Sequence, residues 1–243
     1  MSEPLIYQIT NTVSAQLQAD VTALLGGASI MSRQIAEAAQ SAASCDAMLL
    51  NIGTPPDNAL ELYRTALRAA AENSKPVVLD IVGYGFSKYR TEIADKLLDE
   101  FTFSIIKGNE SEIGALGGAG TIPVGVSSGT PLSDAGKIVK ACAKKYNCVV
   151  CSTGEKDHIS DGERTAEIEG GSPLMRRTSG IGCALGSAAA LFCTEDKPFD
   201  AAFRALTLFR TAASKAEPES RGAYSFRIRF LYLFAELKGD KTK

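Results

Sequence analysis

Histidine is nearly absent from this sequence, since His158 is the only one among 243 residues. A single histidine offers no Ser-His or Cys-His pair for nucleophilic catalysis unless His158 meets a thiol such as Cys183. The sequence also lacks a GxxxxGK[ST] segment and has no GxGxxG after its first strand. These absences disfavour a Walker-type NTPase and a nicotinamide-dependent enzyme, and leave a thiol hydrolase as an alternative only if His158 lies beside Cys183.

Charge and hydropathy argue against two further classes of partner. The formal net charge is -2, and without a basic stripe the chain is not expected to bind nucleic acid. No apolar run approaches the roughly 18 residues that a membrane span needs. The first residues also lack the pattern of a signal peptide. We therefore expect a cytoplasmic protein with no membrane partner.

The six cysteines are expected to be reduced and mostly structural. Cys142, Cys148, Cys151 and Cys193 lie in apolar runs, where a free thiol behaves as a small hydrophobe. Cys148 and Cys151 have the CxxC spacing of a zinc or redox pair. The strand-like pattern around them, however, directs the two thiols to opposite faces of a sheet, so that core packing is the favoured interpretation.

Apolar strands alternate with helix-like segments along the chain. Strands are predicted at 46–52, 75–80, 103–107 and 148–152, a hairpin at 157–169 turning at Asp161-Gly162, and helices at 55–73, 88–100, from Asn109, 132–146, 182–193, 200–215 and 222–237. This order predicts a mostly parallel sheet with helices on both faces. We expect one domain over residues 1–243, with the last few residues frayed.

In such a sheet, ligands bind beyond the carboxyl ends of the strands. Four predicted strands end in polar or glycine residues, at 51–54, 80–83, 107–109 and 152–155. These tails are the first places to look for functional residues.

The sharpest local feature is residues 178–183, TSGIGC, followed by a run of small residues. Glycines at a loop-to-helix junction allow backbone N–H groups to converge on an anion, which the helix dipole also favours. Cys183 falls in the first turn, where a thiolate is favoured as well. The alternative is a glycine-rich helix start that serves packing alone.

Two acidic residues follow neighbouring strands. Asp80 ends one strand, and the NxxE spacing places Asn109 and Glu112 on the same side of the first turn of a helix. Two carboxylates near bound phosphates would hold a hydrated Mg²⁺. Alternatively, Glu112 only complements the helix N-terminus, and Asp80 only ends its strand in a turn.

Taken in order, eight short segments resemble those of the hydroxyethylthiazole kinase family. They are 9–11 (ITN), 27–31 (GASIM), 51–54 (NIGT), 78–80 (VLD), 108–112 (GNESE), 153–155 (TGE), 160–162 (SDG) and 180–183 (GIGC). The resemblance implies a ribokinase-like three-layer α/β/α fold and transfer of the γ-phosphoryl group of ATP to the hydroxyl of 4-methyl-5-(2-hydroxyethyl)thiazole. It also implies Mg²⁺ and a homotrimer with sites at the subunit interfaces.

The resemblance assigns roles by motif. It implies catalytic roles for Cys183, Gly180 and Gly182; substrate contacts by Met31, Gly180, Asn11, Gly53 and Thr54; ATP contacts by Lys107, Thr153 and Asn109; and Mg²⁺ binding by Asp80 and Glu112. Cys183 stands where sugar kinases of the same superfamily carry an aspartate base. We expect it to position the hydroxyl or to act as a weak base, since a loose phosphoryl-transfer transition state needs no strong one.

The sequence departs from the family pattern at several positions. Lys107 stands where an arginine is usual and cannot form the planar two-donor fork to phosphate. Ile181 replaces a threonine, and Ile81 stands where a proline is common after the aspartate, since residues 80–83 read DIVG. Two alternatives stay open: another ribokinase-like kinase, acting on hydroxymethylpyrimidine, pyridoxal or a sugar, and a non-catalytic ligand-binding relative.

Overall fold

A single sheet runs through the centre of the computed structural model, which describes residues 3–118 and 134–239. Its strands within these residues are β1 Leu5–Ile9, β2 Ala28–Ile30, β3 Ala47–Asn51, β4 Val77–Asp80, β5 Ile105–Asn109, β6 Val149–Thr153, β7 Asp157–Ser160 and β8 Thr165–Ile168. The order across the sheet is β2-β1-β3-β4-β5-β6-β7-β8. The first six are parallel, and β7 and β8 form an antiparallel hairpin at one edge.

Helices cover both faces of the sheet. One face carries α1 Ala15–Leu24, α8 Ile181–Phe192, α9 Pro198–Ala216 and α10 Ala223–Gly239, and the other carries α2 Ile35–Ser44, α3 Ala59–Glu72, α4 Lys88–Glu100, α5 Glu110–Leu116 and α6 Ala135–Tyr146. A short helix, α7 Leu174–Arg177, precedes α8. The predicted three-layer α/β/α architecture with a mostly parallel sheet is confirmed.

The strands divide their side chains between two apolar cores. Val78 and Ile105 pack on the α8 side, whereas Leu79 and Ile106 pack on the α3 side. A strand buried on both faces needs apolar residues at nearly every position, which explains the near-continuous runs in the sequence. Side chains alternate between the two faces along each strand, so the polar residues at the ends of β3, β4 and β5 point toward α8.

Most element predictions agree with the structure, and the differences have local causes. The predicted hairpin is confirmed, and Gly162 occupies its turn with φ +93°. Helix α3 begins at Ala59 rather than at residue 55, because the prolines at 55 and 56 form a turn in which the Pro56 carbonyl accepts the Ala59 N–H (3.0 Å). The helix expected at 132–146 begins at Ala135, and its first two residues lie outside the described part of the chain.

The cysteine prediction is also confirmed. Cys148 packs against the α6 side of the sheet and Cys151 lies in the α8-side core, so that the two thiols face apart. All six cysteines are free thiols. Burial raises the pKa of the Cys148 thiol to about 12 and raises the pKa of Cys151 as well.

Within residues 3–118 and 134–239, no helix combines the length and hydrophobicity of a membrane span. The expected cytoplasmic location stays a prediction. The predicted fraying of the last few residues falls largely on 240–243, outside the described residues.

Candidate active site

The ends of three neighbouring strands present buried polar side chains toward the start of α8. Asn51 ends β3 beside Asp80 on β4, and Asp80 pairs in register with Lys107 on β5. Their exposed fractions are 1%, 0% and 4%. This is the edge of the sheet at which the strand tails in the sequence predict a site.

Asp80 and Lys107 form a buried ion pair. The Lys107 Nζ lies 3.0 Å from Asp80 Oδ1, and Asn51 Nδ2 donates to Asp80 Oδ2 (2.7 Å). Among the described residues, the ammonium is the one polar partner of this buried oxygen. Because a carboxylate oxygen has two lone pairs, Asp80 Oδ1 can accept a further ligand beside the ammonium.

The pKa values in this pair follow from burial and charge. Burial raises the pKa of Asp80, while the Lys107 charge and the Asn51 amide oppose that rise. Burial alone would lower the pKa of Lys107, but the charge of Asp80 and its contact with the ammonium raise it above its usual value. Lys107 is therefore a fixed cation beneath the site.

Asn51 connects this ion pair to a second amide. Its Oδ1 accepts hydrogen bonds from Asn11 Nδ2 (2.9 Å) and from the Gly53 N–H (3.0 Å). Asn11 Oδ1 in turn accepts from the N–H groups of Val13 and Ser14 and from Ser14 Oγ, each at 3.0 Å. Because each amide oxygen is surrounded by donors, the orientation of both amides is determined.

Cys183 lies within this amide network. Asn11 Nδ2 is 3.4 Å from Cys183 Sγ. Burial and the Asp80 charge raise the pKa of the thiol, although Lys107, Ser14 and Asn51 oppose the rise. The expectation that the helix start favours a Cys183 thiolate is therefore wrong, because burial and the neighbouring carboxylate outweigh the helix dipole. A neutral thiol fits the expected hydroxyl-positioning role.

The pairing of His158 with Cys183 is contradicted. His158 lies on β7, three strands from β4, which corresponds to about 14 Å at the usual strand spacing. Its Nδ1 faces Glu167 Oε2 (3.9 Å) and the start of α6, on the opposite side of the sheet from α8. Without a histidine beside Cys183, the thiol-hydrolase alternative has no base.

Glu112 is held at the start of α5. Its Oε2 accepts the Asn109 N–H (2.7 Å), Asn109 Oδ1 accepts the Glu112 N–H (2.9 Å), and Glu112 Oε1 accepts the Gly83 N–H (2.7 Å). This capping box is the helix-terminus role that the sequence leaves open. Burial, and then the Asp80 charge, raise the pKa of Glu112 to about 7, so that the two carboxylates interact.

The start of α8 is shaped by two glycines with different environments. Gly180 is its N-cap, with φ +92°, and a Cβ there would lie 2.9 Å from Ser14 Cβ. Gly182 is exposed, and a Cβ there would meet no atom within 4 Å. The first-turn N–H groups of a helix have no carbonyl partner within it, so they are available to a ligand in this open space. Ile181, in contrast, is buried in the core and contributes only its backbone.

The remaining predicted residues lie on either side of this cluster. Toward β1 and β2, Thr54 Oγ1 accepts the Thr12 N–H (3.0 Å), Arg33 Nη2 donates to the Thr54 carbonyl (2.8 Å), and Gly53 packs against Asn11. Met31 directly follows β2 and is half-buried. These loops form the β1–β3 side of the site.

On the other side, Asn109 and Thr153 are register partners on β5 and β6. Both are half-buried, and Thr153 Oγ1 donates to the Gly108 carbonyl (3.4 Å). Lys107 is directed at Asp80 rather than at this open side. Its expected contact with ATP therefore stays a prediction.

Asn51 and Ser14 belong to the connected cluster but are not among the predicted site residues. Asn51 carries a visible signal, because a polar residue closes an otherwise apolar strand in the NIGT tail. Ser14 has none, since a serine before a helix is typical of an ordinary N-cap.

Comparison with known proteins decides the family. The chain matches the hydroxyethylthiazole kinase family over residues 1–240. It belongs to this family. A hydroxyethylthiazole kinase from Desulfatibacillum aliphaticivorans is 36% identical over 243 residues, covering 100% of this chain and 91% of that protein. One from Methanosarcina acetivorans is 37% identical over 243 residues, covering 100% and 93%.

Solved structures agree with this assignment. The hydroxyethylthiazole kinase from Pyrococcus horikoshii OT3 superposes with a TM-score of 0.87 at 31% identity, covering 96% of this chain and 88% of that chain. Pyridoxal kinase from Staphylococcus aureus, solved with AMP-PCP and pyridoxal, has a TM-score of 0.64 at 16% identity, covering 87% and 88%. The second likeness supports the ribokinase-like fold alone.

The two glycines of the α8 start allow a test of the packing alternative. We expect Gly180→Ala to lower the free energy of unfolding by about 1–2 kcal/mol or more, because alanine is strained at positive φ and its Cβ would press on Ser14. Gly182→Ala is expected to leave stability unchanged or slightly higher, since helices favour alanine over glycine. Urea unfolding measures both. An equal loss at 182 would mean that this glycine serves packing rather than a ligand.

Proposed function

We propose that this protein transfers the γ-phosphoryl group of ATP to the hydroxyl of 4-methyl-5-(2-hydroxyethyl)thiazole, as the names of its relatives suggest. The observation that carries the proposal is the start of α8. Its open glycine turn lies over a buried cluster of Asp80, Lys107 and Glu112, with the neutral Cys183 thiol between them. An N–H cradle, a fixed cation and carboxylates are the parts that phosphoryl transfer needs.

The alcohol is proposed to bind on the β1–β3 side. Met31, Gly53 and Thr54 would line the thiazole ring, and Asn11 would close the pocket beside Cys183. The thiol would position the hydroxyl, with Gly180 and Gly182 providing backbone contacts. Asn11 donates to the sulfur, so this bond does not use the thiol hydrogen.

The nucleotide is proposed to bind on the opposite side, near Asn109 and Thr153. Lys107 would meet its phosphates at the edge of the ion pair with Asp80. A lysine acts there as a point charge rather than a two-donor fork. Its position on β5, two residues before Asn109 and beside β6, supports this arrangement.

The residues present fit a hydrated Mg²⁺. Asp80 Oδ1 is buried and, among the described residues, has no polar partner besides the Lys107 ammonium, whereas both Glu112 oxygens already accept backbone N–H groups. Among the described residues, no three His, Cys, Asp or Glu side chains gather as a metal site. Such a cation depends on one or two carboxylates, water and phosphate oxygens, and Asp80 would act directly or through water, with Glu112 through water. When bound, Mg²⁺ neutralises charge on the transferred phosphoryl group.

In the proposed step, the alcohol oxygen forms a bond to the γ-phosphorus as the bond to the bridging oxygen of ADP breaks. The first-turn N–H groups of α8 would stabilise the charge on the transferred group. Cys183 would hold the hydroxyl in line, and because proton loss is small in a loose transition state, a neutral thiol suffices. The hydroxyl proton would leave after the transfer, through the phosphoryl oxygens to water.

We also infer a homotrimer with its sites at the subunit interfaces, as the family resemblance implies. Exposed apolar residues support an interface. Tyr224, Ile228 and Tyr232 lie on one stripe of α10 with exposed fractions of 82%, 49% and 64%. Val13, two positions from Asn11, is 70% exposed, which suits a site completed by a neighbouring subunit.

The proposed reaction is tested by following ATP consumption with the thiazole alcohol, hydroxymethylpyrimidine, pyridoxal and ribose as acceptors. We expect Mg²⁺-dependent phosphorylation of the thiazole alcohol at a kcat/KM at least about tenfold above the others, since one well-placed pocket contact is worth that much. Preference for another acceptor would assign a different vitamin or sugar kinase. Nucleotide binding without turnover of any acceptor would favour a non-catalytic relative.

The positioning role of Cys183 is tested by Cys183→Ser, with Cys193→Ser at the far end of α8 as the control. We expect kcat to fall by no more than about tenfold, because the loss of a general base costs about 10²-fold or more. Cys183→Asp is expected to keep or raise kcat by supplying a stronger base. Complete loss of activity in a folded Cys183→Ser protein would assign an essential base or nucleophile instead.

A further inference from the structure

Arg210 on α9 is a buried arginine whose donors are all engaged. It is 7% exposed. Its Nε donates to Asp157 Oδ2 (2.7 Å), its Nη1 donates to the carbonyls of Glu155 (3.0 Å) and Gly170 (2.7 Å), and its Nη2 donates to the carbonyl of Gly154 (2.9 Å) and to Asp157 Oδ1. These contacts use all five N–H groups of the guanidinium.

Three of the four residues that Arg210 holds belong to one turn. Gly154, Glu155 and Asp157 closely follow Thr153, at the junction of β6 and β7. Asp157 Oδ1 also accepts the Gly154 N–H (3.1 Å), which closes the turn on itself. The guanidinium therefore fixes the backbone that begins where β6 ends.

The same turn packs on the start of α5. A Cβ on Gly154 would lie 2.1 Å from Glu110 Oε1, so the Glu110 side chain rests directly on Gly154. Glu110 follows Asn109, the register partner of Thr153. A shift of the turn would thus displace both residues of the proposed nucleotide side.

Arg210 reaches a second segment through Gly170. Gly170 and Gly171 have φ of +94° and +91°, and the Gly171 N–H donates to Ser214 Oγ (2.8 Å) on α9. This segment leads through α7 to the glycine turn of α8. The Arg210 side chain thereby connects the turn after β6 to the segment that leads to α8.

We propose that Arg210 is a positioning residue for the nucleotide: it holds the 154–157 turn, and with it Thr153, in the conformation that binds ATP. The inference rests on the proposed function. Filling this position with a lysine would retain the charge but supply one ammonium with three donors in place of a planar fork with five. The carbonyls of the turn and of Gly170 would then lose their common partner.

The test compares Arg210→Lys with Arg204→Lys, a matched control on the same helix. Arg204 is half-buried and pairs with Glu195 and Asp196, away from the turn. We expect Arg210→Lys to raise the Kd of AMP-PCP, measured by calorimetry, and the KM of ATP by about tenfold, because small misplacements of binding groups carry costs of this size. The KM of the thiazole alcohol is expected to stay within about twofold of the wild-type value. Arg204→Lys should change neither.

Asp157→Asn provides a second variant if Arg210→Lys does not fold. It retains the guanidinium bonds to the three carbonyls, and a smaller rise in the nucleotide Kd is expected with it. Equal AMP-PCP affinity in the wild-type protein and a folded Arg210 or Asp157 variant would overturn the positioning role alone. A wild-type protein that binds no AMP-PCP would overturn the proposed function, and this role with it.

Discussion

The buried ion pair between Asp80 and Lys107 is the constraint on which the site depends. Each charge lies in the interior of a sheet at an exposure of 4% or less, and burial of such charges costs several kcal/mol per ion before their attraction is counted. Replacing a pair like this by apolar residues is often neutral or stabilising. Its presence at the carboxyl ends of β4 and β5, between two apolar cores, is therefore better explained by chemistry than by stability.

The neighbouring groups acquire their properties from this pair. Asp80 contributes to the raised pKa of both Glu112 and Cys183, so that its charge favours a neutral thiol on one side and the protonated form of Glu112 on the other. Asn51 links the ion pair to the alcohol side, since its amide donates to Asp80 and accepts from Asn11. The alcohol side and the cation side are thus parts of one hydrogen-bonded unit. Displacing the residues on either side would therefore change the hydrogen-bond geometry on the other.

The sequence predicts the layers of the fold well, because buried parallel strands leave near-continuous apolar runs such as 46–52. It also locates the site edge, since polar residues close those runs. Contacts between distant segments are different. Nothing in the sequence indicates that Lys107 turns toward Asp80, that Asn51 bridges to Asn11, or that Arg210 holds a turn more than fifty residues away. Strands β1 and β2 and helix α1 are not predicted either. In α1, the buried polar residues Gln18 and Thr22 interrupt the apolar pattern.

The most direct test is the stability and activity of Asp80→Asn/Lys107→Met beside Lys107→Met alone. We expect the single variant to lose about 3–5 kcal/mol of unfolding free energy, because it leaves a buried carboxylate without its partner. The double variant should recover to within about 1 kcal/mol of the wild-type value and yet phosphorylate no acceptor. If the double variant retained phosphorylation, or stayed as unstable as the single variant, the conclusion that this ion pair serves function rather than folding would be contradicted.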